Sequence, residues 1–238
     1  VRIILFDIDG TLLLTGGAGL RALDRVFRDR FGVEDAYRGV EFHGRTDIGI
    51  LRAMLRRHLQ RDPEPGELPR LADLYVQALE AVLAEGTPAF RVLPGVREAL
   101  AALQGRRDVL LGLATGNLEP AAWAKLRHAG LDGFFGVGGF GTDSEDREEL
   151  TRRGAERARR AAGGDERTPV LVVGDTVHDV RCARAIGAAC LAVATGNATE
   201  EALRAAGADW TVPGLDRPLA RRVLGLENGP IDPSGPRC

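Results

Sequence analysis

Four short stretches of the chain are apolar throughout: Ile3 to Phe6, Val109 to Ala114, Val170 to Val173 and Cys190 to Val193. Unbroken apolar runs of this length predict strands buried on both faces, as in a parallel sheet. Between them the apolar spacing becomes helical. Pro94-Gly95 opens a helix carrying Val96, Ala99, Leu100 and Leu103, and Glu119-Pro120 opens another that Gly130 closes. Residues 148–162 read as an arginine-rich helix and 179–186 as a helix stopped by Gly187. Strands alternating with helices predict an α/β fold with a doubly wound parallel sheet.

Residues 16–87 break this rhythm. Leu20, Leu23, Val26 and Phe27 share one helical face, as do Ile48, Leu51, Met54 and Leu55, and Leu71 to Leu83 repeats the pattern more loosely. No strand is predicted there. Gly16-Gly17 and Glu85-Gly86-Thr87-Pro88 bound the segment, which reads as an inserted helical domain. Residues 1–15 and 88–224 then form the core domain. Residues 225–238, with three prolines and no apolar periodicity, read as a mobile tail.

Composition narrows the class. Of 238 residues, 44% are hydrophobic and 28% charged, which excludes intrinsic disorder. A net charge of −2 argues against nucleic acid as a partner. No apolar run approaches a membrane span, so no membrane partner is expected. Cys182, Cys190 and Cys238 form no metal-binding spacing and fit a reducing, cytoplasmic setting. Among 32 basic residues, Lys125 is the only lysine.

Candidate chemistry sits where the apolar strands end. The first runs into Asp7-Ile8-Asp9-Gly10-Thr11, placing two carboxylates at the carboxyl edge of the sheet, where open α/β sheets bind ligands. The third strand runs into Gly174-Asp175-Thr176-Val177-His178-Asp179. If the strands are neighbours, Asp7, Asp9 and Asp175 form an oxygen cluster that needs a hard cation, Mg²⁺ by its ligand type. Asp179 either joins through water or caps the next helix. Thr115-Gly116-Asn117 offers a hydroxyl and backbone N–H groups able to hold a phosphate.

In order and spacing these three loops resemble the haloacid dehalogenase-like hydrolase superfamily, over nearly the whole chain except the tail. The resemblance implies a Rossmann-like core with a helical cap at residues 16–87. It implies Asp7 as nucleophile, Asp9 as general acid/base, Thr115 as the phosphate-binding hydroxyl and Asp175 as a magnesium ligand. A phosphate ester would transfer its phosphoryl group to Asp7, and water would then release it. Members of the superfamily carry a lysine some thirty residues after the threonine. Lys125 comes too early, so Arg147 is the expected substitute and Arg152 the second choice. An aspartate at position 9 favours phosphate transfer over dehalogenation, and the lysine-free insert disfavours Schiff-base phosphonate chemistry.

The segment Phe42-His43-Gly44-Arg45-Thr46-Asp47 resembles the substrate-facing turn of phosphoglycolate phosphatase-like and phosphoglucomutase-like caps. Arg45 could read the leaving group there, or Thr46 or Asp47 could simply cap a helix. His43, His58 and His128 read as ordinary residues, and Trp123 and Trp210 as core. The expectation is a Mg²⁺-dependent phosphatase of small metabolites, favouring phosphoglycolate-like monoesters. The alternatives are a sugar-phosphate mutase and a weakly catalytic phosphate-binding regulator.

Overall fold

The computed structural model describes residues 1–42 and 44–229. Six parallel strands form the main sheet: β1 (Arg2–Phe6), β4 (Val109–Ala114), β5 (Gly138–Gly139), β6 (Val170–Gly174), β7 (Ala189–Val193) and β8 (Trp210–Val212). Their spatial order is β5-β4-β1-β6-β7-β8. The register sets Phe6 between Leu113 of β4 and Val173 of β6. The residues that follow these three strands therefore emerge side by side at one edge.

Side chains of β1 alternate between two buried layers. Ile4 and Phe6 pack toward α4 (Val96–Leu103), α5 (Glu119–Ala129) and α9 (Pro218–Val223). Ile3 and Leu5 pack toward Ala155 and Ala158 of α6 (Arg147–Ala161). On the same side, Val172 and Ala192 meet α7 (Val177–Ala185) and α8 (Glu200–Ala205). Helices on both faces of a parallel sheet make this the expected doubly wound α/β architecture.

Three helices follow the first strand: α1 (Ala18–Phe31), α2 (Asp47–Leu59) and α3 (Glu67–Ala84). They share one apolar cluster, in which Phe27, Leu51, Met54, Leu55 and Leu79 are fully buried. Leu118, Ala121 and Ala124 extend that cluster onto the start of α5, so the inserted helices rest on the core through this helix. A short antiparallel pair, β2 (Leu13–Leu14) with β3 (Arg91–Val92), joins the chain leaving for the insert to the chain returning from it. Arg25 adds a double hydrogen bond to Glu85 across the same connection.

The expected tail is not loose at its start. Arg106 donates to the Gly225 carbonyl at 2.7 Å, and Leu226 packs on the core. The rest of the segment, from 230 onward, and His43 lie outside the described residues. Among the described residues no helix is long and apolar enough to cross a membrane. Cys182 and Cys190 are buried free thiols.

Candidate active site

Asp7 leaves β1 with its N–H bonded to the Val173 carbonyl at 2.9 Å, which fixes it beside β6. Asp175 follows β6 directly. Asp179 lies in the first turn of α7 and closes a capping box: the Thr176 hydroxyl accepts from the Asp179 N–H, and Asp179 Oδ2 accepts from the Thr176 N–H at 2.9 Å. Of the two expectations for Asp179 the structure shows the cap, and it also places the side chain beside Asp7 and Asp175. One oxygen from each of Asp7, Asp175 and Asp179 lies within 4.8 Å of the others. All three are buried, at 5%, 4% and 2% exposure. Gly10, with φ of 88°, lets the loop pass over Asp175, since a Cβ there would run into its carboxylate.

Burial and mutual repulsion shape the electrostatics. Desolvation, then the charge of Asp179, push the Asp7 carboxyl up to about 7. Desolvation and the charge of Asp7 push Asp175 up to about 9. Among the described residues the sole cation at these three acids is Arg147, at the first position of α6 after the capping Asp146. Its guanidinium donates to Asp179 Oδ1 at 2.5 Å and stands 3.8 Å from Asp7. Burial alone would lower the pKa of Arg147, but Asp179 and Asp7 hold it above its usual value. Its Nε is buried without a hydrogen-bond partner among the described residues. Arg152, the second choice, is an exposed partner of Glu149 and takes no part.

One arginine does not neutralise three carboxylates, and the donor set is oxygen only. The residues therefore fit a hard divalent cation, with Asp7 and Asp175 offering oxygens and Asp179 already committed to Arg147 and Thr176. Asp9, expected among the metal ligands, stands apart from this group. Its Oδ2 accepts from Lys125 Nζ and from Asn117 Nδ2, both at 2.7 Å.

A linkage effect follows from the raised carboxyls. Folded Asp7 and Asp175 keep protons that the unfolded chain releases near pH 4, so stability falls as pH rises from about 4 toward 9. In a chelator, stability should drop across that range by on the order of a few kcal/mol, read as a falling melting temperature. Excess Mg²⁺ should flatten the drop. Parallel melting curves with and without the ion would show instead no difference if the cluster holds none.

The phosphate-binding loop lies across the sheet edge. Thr115 is fully buried and its hydroxyl accepts from Asn117 Nδ2 at 2.8 Å. Gly116 is met by the inserted segment: its carbonyl accepts from the Asp47 N–H at 2.9 Å, and a Cβ on it would collide with the Arg45 carbonyl. Thr46 is the cap of α2, accepting from the Gly49 N–H. Asp47 instead turns its carboxylate inward to accept from the Leu118 N–H at 2.8 Å, and burial raises it to about 6. The insert is thus closed over the core. A cavity of about 290 Å³ remains, floored by Asp7, Asp9 and Thr115 and walled by Leu20, Phe42 and Arg45. Arg45 also pairs with Glu41.

The other singled-out residues lie outside this cavity's wall. His58 bonds the Ala36 carbonyl and His128 stacks edge-on against Phe90. His178 faces Gly44 of the insert and is held below its ordinary pKa by burial and Arg147. Trp123 and Trp210 are half-buried against the core. Sequence reasoning missed Thr11, whose hydroxyl bonds Asp175 at 3.1 Å, and the buried role of Lys125.

A parallel sheet with a buried carboxylate cluster at its carboxyl edge, closed by inserted helices, defines a capped α/β enzyme. The haloacid dehalogenase-like hydrolase family matches residues 1–187, and the chain belongs to that family. As expected for its class, it is a phosphoric monoester hydrolase. It is 29% identical over 210 residues to a phosphoglycolate phosphatase of Synechococcus elongatus, covering 88% of this chain and 92% of that one. It is 27% identical over 199 residues to a phosphoglycolate phosphatase of Nitrosospira multiformis, covering 82% and 84%. The crystal structure of CbbY from Rhodobacter sphaeroides in complex with phosphate has the same fold, with a TM-score of 0.69, 22% identity and coverage of 91% and 96%.

Proposed function

We propose that the chain is a Mg²⁺-assisted phosphatase of small phosphate monoesters, phosphoglycolate-like ones foremost, acting through a phosphorylated Asp7. The observation that carries this reading is the convergence of Asp7, Asp175, Arg147 and Thr115 at one sheet edge, lining one cavity with residues of the insert. Names of the two bacterial relatives support the substrate class.

In this mechanism Arg147 draws the phosphate dianion toward Asp7, which would otherwise repel it. The Thr115 hydroxyl and the loop through Gly116 and Asn117 hold the phosphoryl oxygens. An Asp7 oxygen bonds to phosphorus as the ester P–O bond breaks, and Asp9 gives its proton to the departing alcohol oxygen. Asp9 then takes a proton from the water that attacks phosphorus and frees Asp7. Asp7 and Asp175 would hold a divalent cation, which when bound would supply charge neutralisation and electrophilic polarisation of the phosphate. The closed insert keeps bulk water from the intermediate.

The test is phosphate release from a panel of phosphorylated metabolites with and without Mg²⁺. Metal-dependent release from a narrow set of short-chain monoesters is the expected result. Transfer to a second sugar position rather than to water would establish the mutase reading, and no turnover of any ester would leave only a binding role.

A further inference from the structure

The only lysine of the chain is buried, at 4% exposure, in α5. Its ammonium donates to Asp9 Oδ2 at 2.7 Å and to Asn117 Oδ1. Asn117 in turn donates to the same Asp9 oxygen and to the Thr115 hydroxyl. A buried ammonium loses its hydration, and an apolar side chain of similar volume would cost less. Asp9 does not need the partner for its own solvation, because its side chain is 40% exposed. Every other basic residue in the chain is arginine. A compact ammonium with three rotatable donors suits a corner shared by two acceptors, whereas a planar fork does not.

We propose that Lys125 is a positioning residue that fixes which oxygen of Asp9 serves the reaction. This rests on the phosphatase reading above. With Oδ2 occupied by two N–H donors, the proton to be transferred can sit only on Oδ1, the oxygen with no protein donor among the described residues. As the Asp7 oxygen bonds to phosphorus and the ester P–O bond breaks, the electron pair stays on the alcohol oxygen. That oxygen takes the proton from Oδ1, and Asp9 is left as a carboxylate held by Lys125 and Asn117.

Leaving-group selectivity separates this role from a structural one. The ratio kcat/KM reports the first transfer, to Asp7, and not the later hydrolysis. An alkyl leaving group needs the proton, while p-nitrophenolate departs without it. Lys125→Met should lower kcat/KM for the alkyl monoester that the unmodified protein hydrolyses best by about 10²-fold, and for p-nitrophenyl phosphate by less than about threefold. Lys125→Gln, whose amide keeps N–H donors but no charge, should recover part of the selectivity, and it provides the comparison if the methionine variant does not fold. In an Asp9→Asn background the same substitutions should cause no further selective loss. Equal losses on both esters, or none on either, would overturn the proposal. An unmodified protein that hydrolyses no ester overturns the phosphatase reading and this inference with it, and is recognised before any variant is made.

Discussion

Asp7→Asn is expected to cut phosphate release by at least about 10³-fold while the protein stays folded. The amide has nearly the shape of the carboxylate but lacks the anionic oxygen that bonds to phosphorus. Its effect on stability runs opposite to its effect on turnover. Asp7 is charged at a cost, since burial and Asp179 push its carboxyl up to about 7. Removing that charge relieves the cluster, so above pH 7 and without metal the variant should melt at or above the temperature of the parent. Addition of Mg²⁺ should stabilise it less than the parent, because one ligand oxygen is lost. Steady-state assays and paired melting curves measure both effects; retained turnover would remove Asp7 as nucleophile.

Arg147→Ala is expected to be nearly as severe, by a different route. It removes the one cation among Asp7, Asp175 and Asp179. Buried carboxylates stripped of a partner typically cost about 3–5 kcal/mol. Activity should fall about 10²- to 10³-fold, since phosphate approach then meets uncompensated negative charge. Arg147→Lys should recover much of the activity, because charge is restored, but not all of the stability, because one ammonium cannot reproduce the guanidinium fork. Arg152→Ala, which breaks only an exposed pair with Glu149, serves as the comparison and should change turnover less than about twofold. Similar losses in the two alanine variants would argue that surface charge, not position, matters.

The nucleophile loop, the phosphate loop and the Asp175 loop were legible because each follows a run apolar enough to mark a strand buried on both faces. Arg147 was legible only through the resemblance, which places a cation some thirty residues after Thr115, and the fold starts α6 at that residue. What escaped was set by packing rather than by local pattern. β5 consists of Gly138 and Gly139, with no side chain to announce a strand. It exists because β4 offers a free edge and because Gly139 and Gly154 let α6 approach closely. β2, β3 and β8 are likewise too short for a periodic signal. Asp9 was placed among the metal ligands because only its neighbours in sequence were visible. The partners its carboxylate has in the structure, Asn117 and Lys125, come from over a hundred residues away. The signal for Lys125 lay in its register: it follows Ala121 by one helical turn, on a side of α5 that is otherwise apolar.

The pairing of Leu13 with Val92 has a consequence for how such a chain can diversify. Paired strands hold their Cα atoms about 5 Å apart, so the two ends of the insert are already brought together before the insert is considered. The entropy of closing that loop is borne at the doorway, and it grows only slowly with the length of what hangs from it. Helices can therefore be exchanged, lengthened or shortened between the two strands while Asp7, Thr115 and Asp175 keep their register. The sheet edge then works as a fixed reaction bench, and the part that chooses what is placed on it becomes an interchangeable fitting.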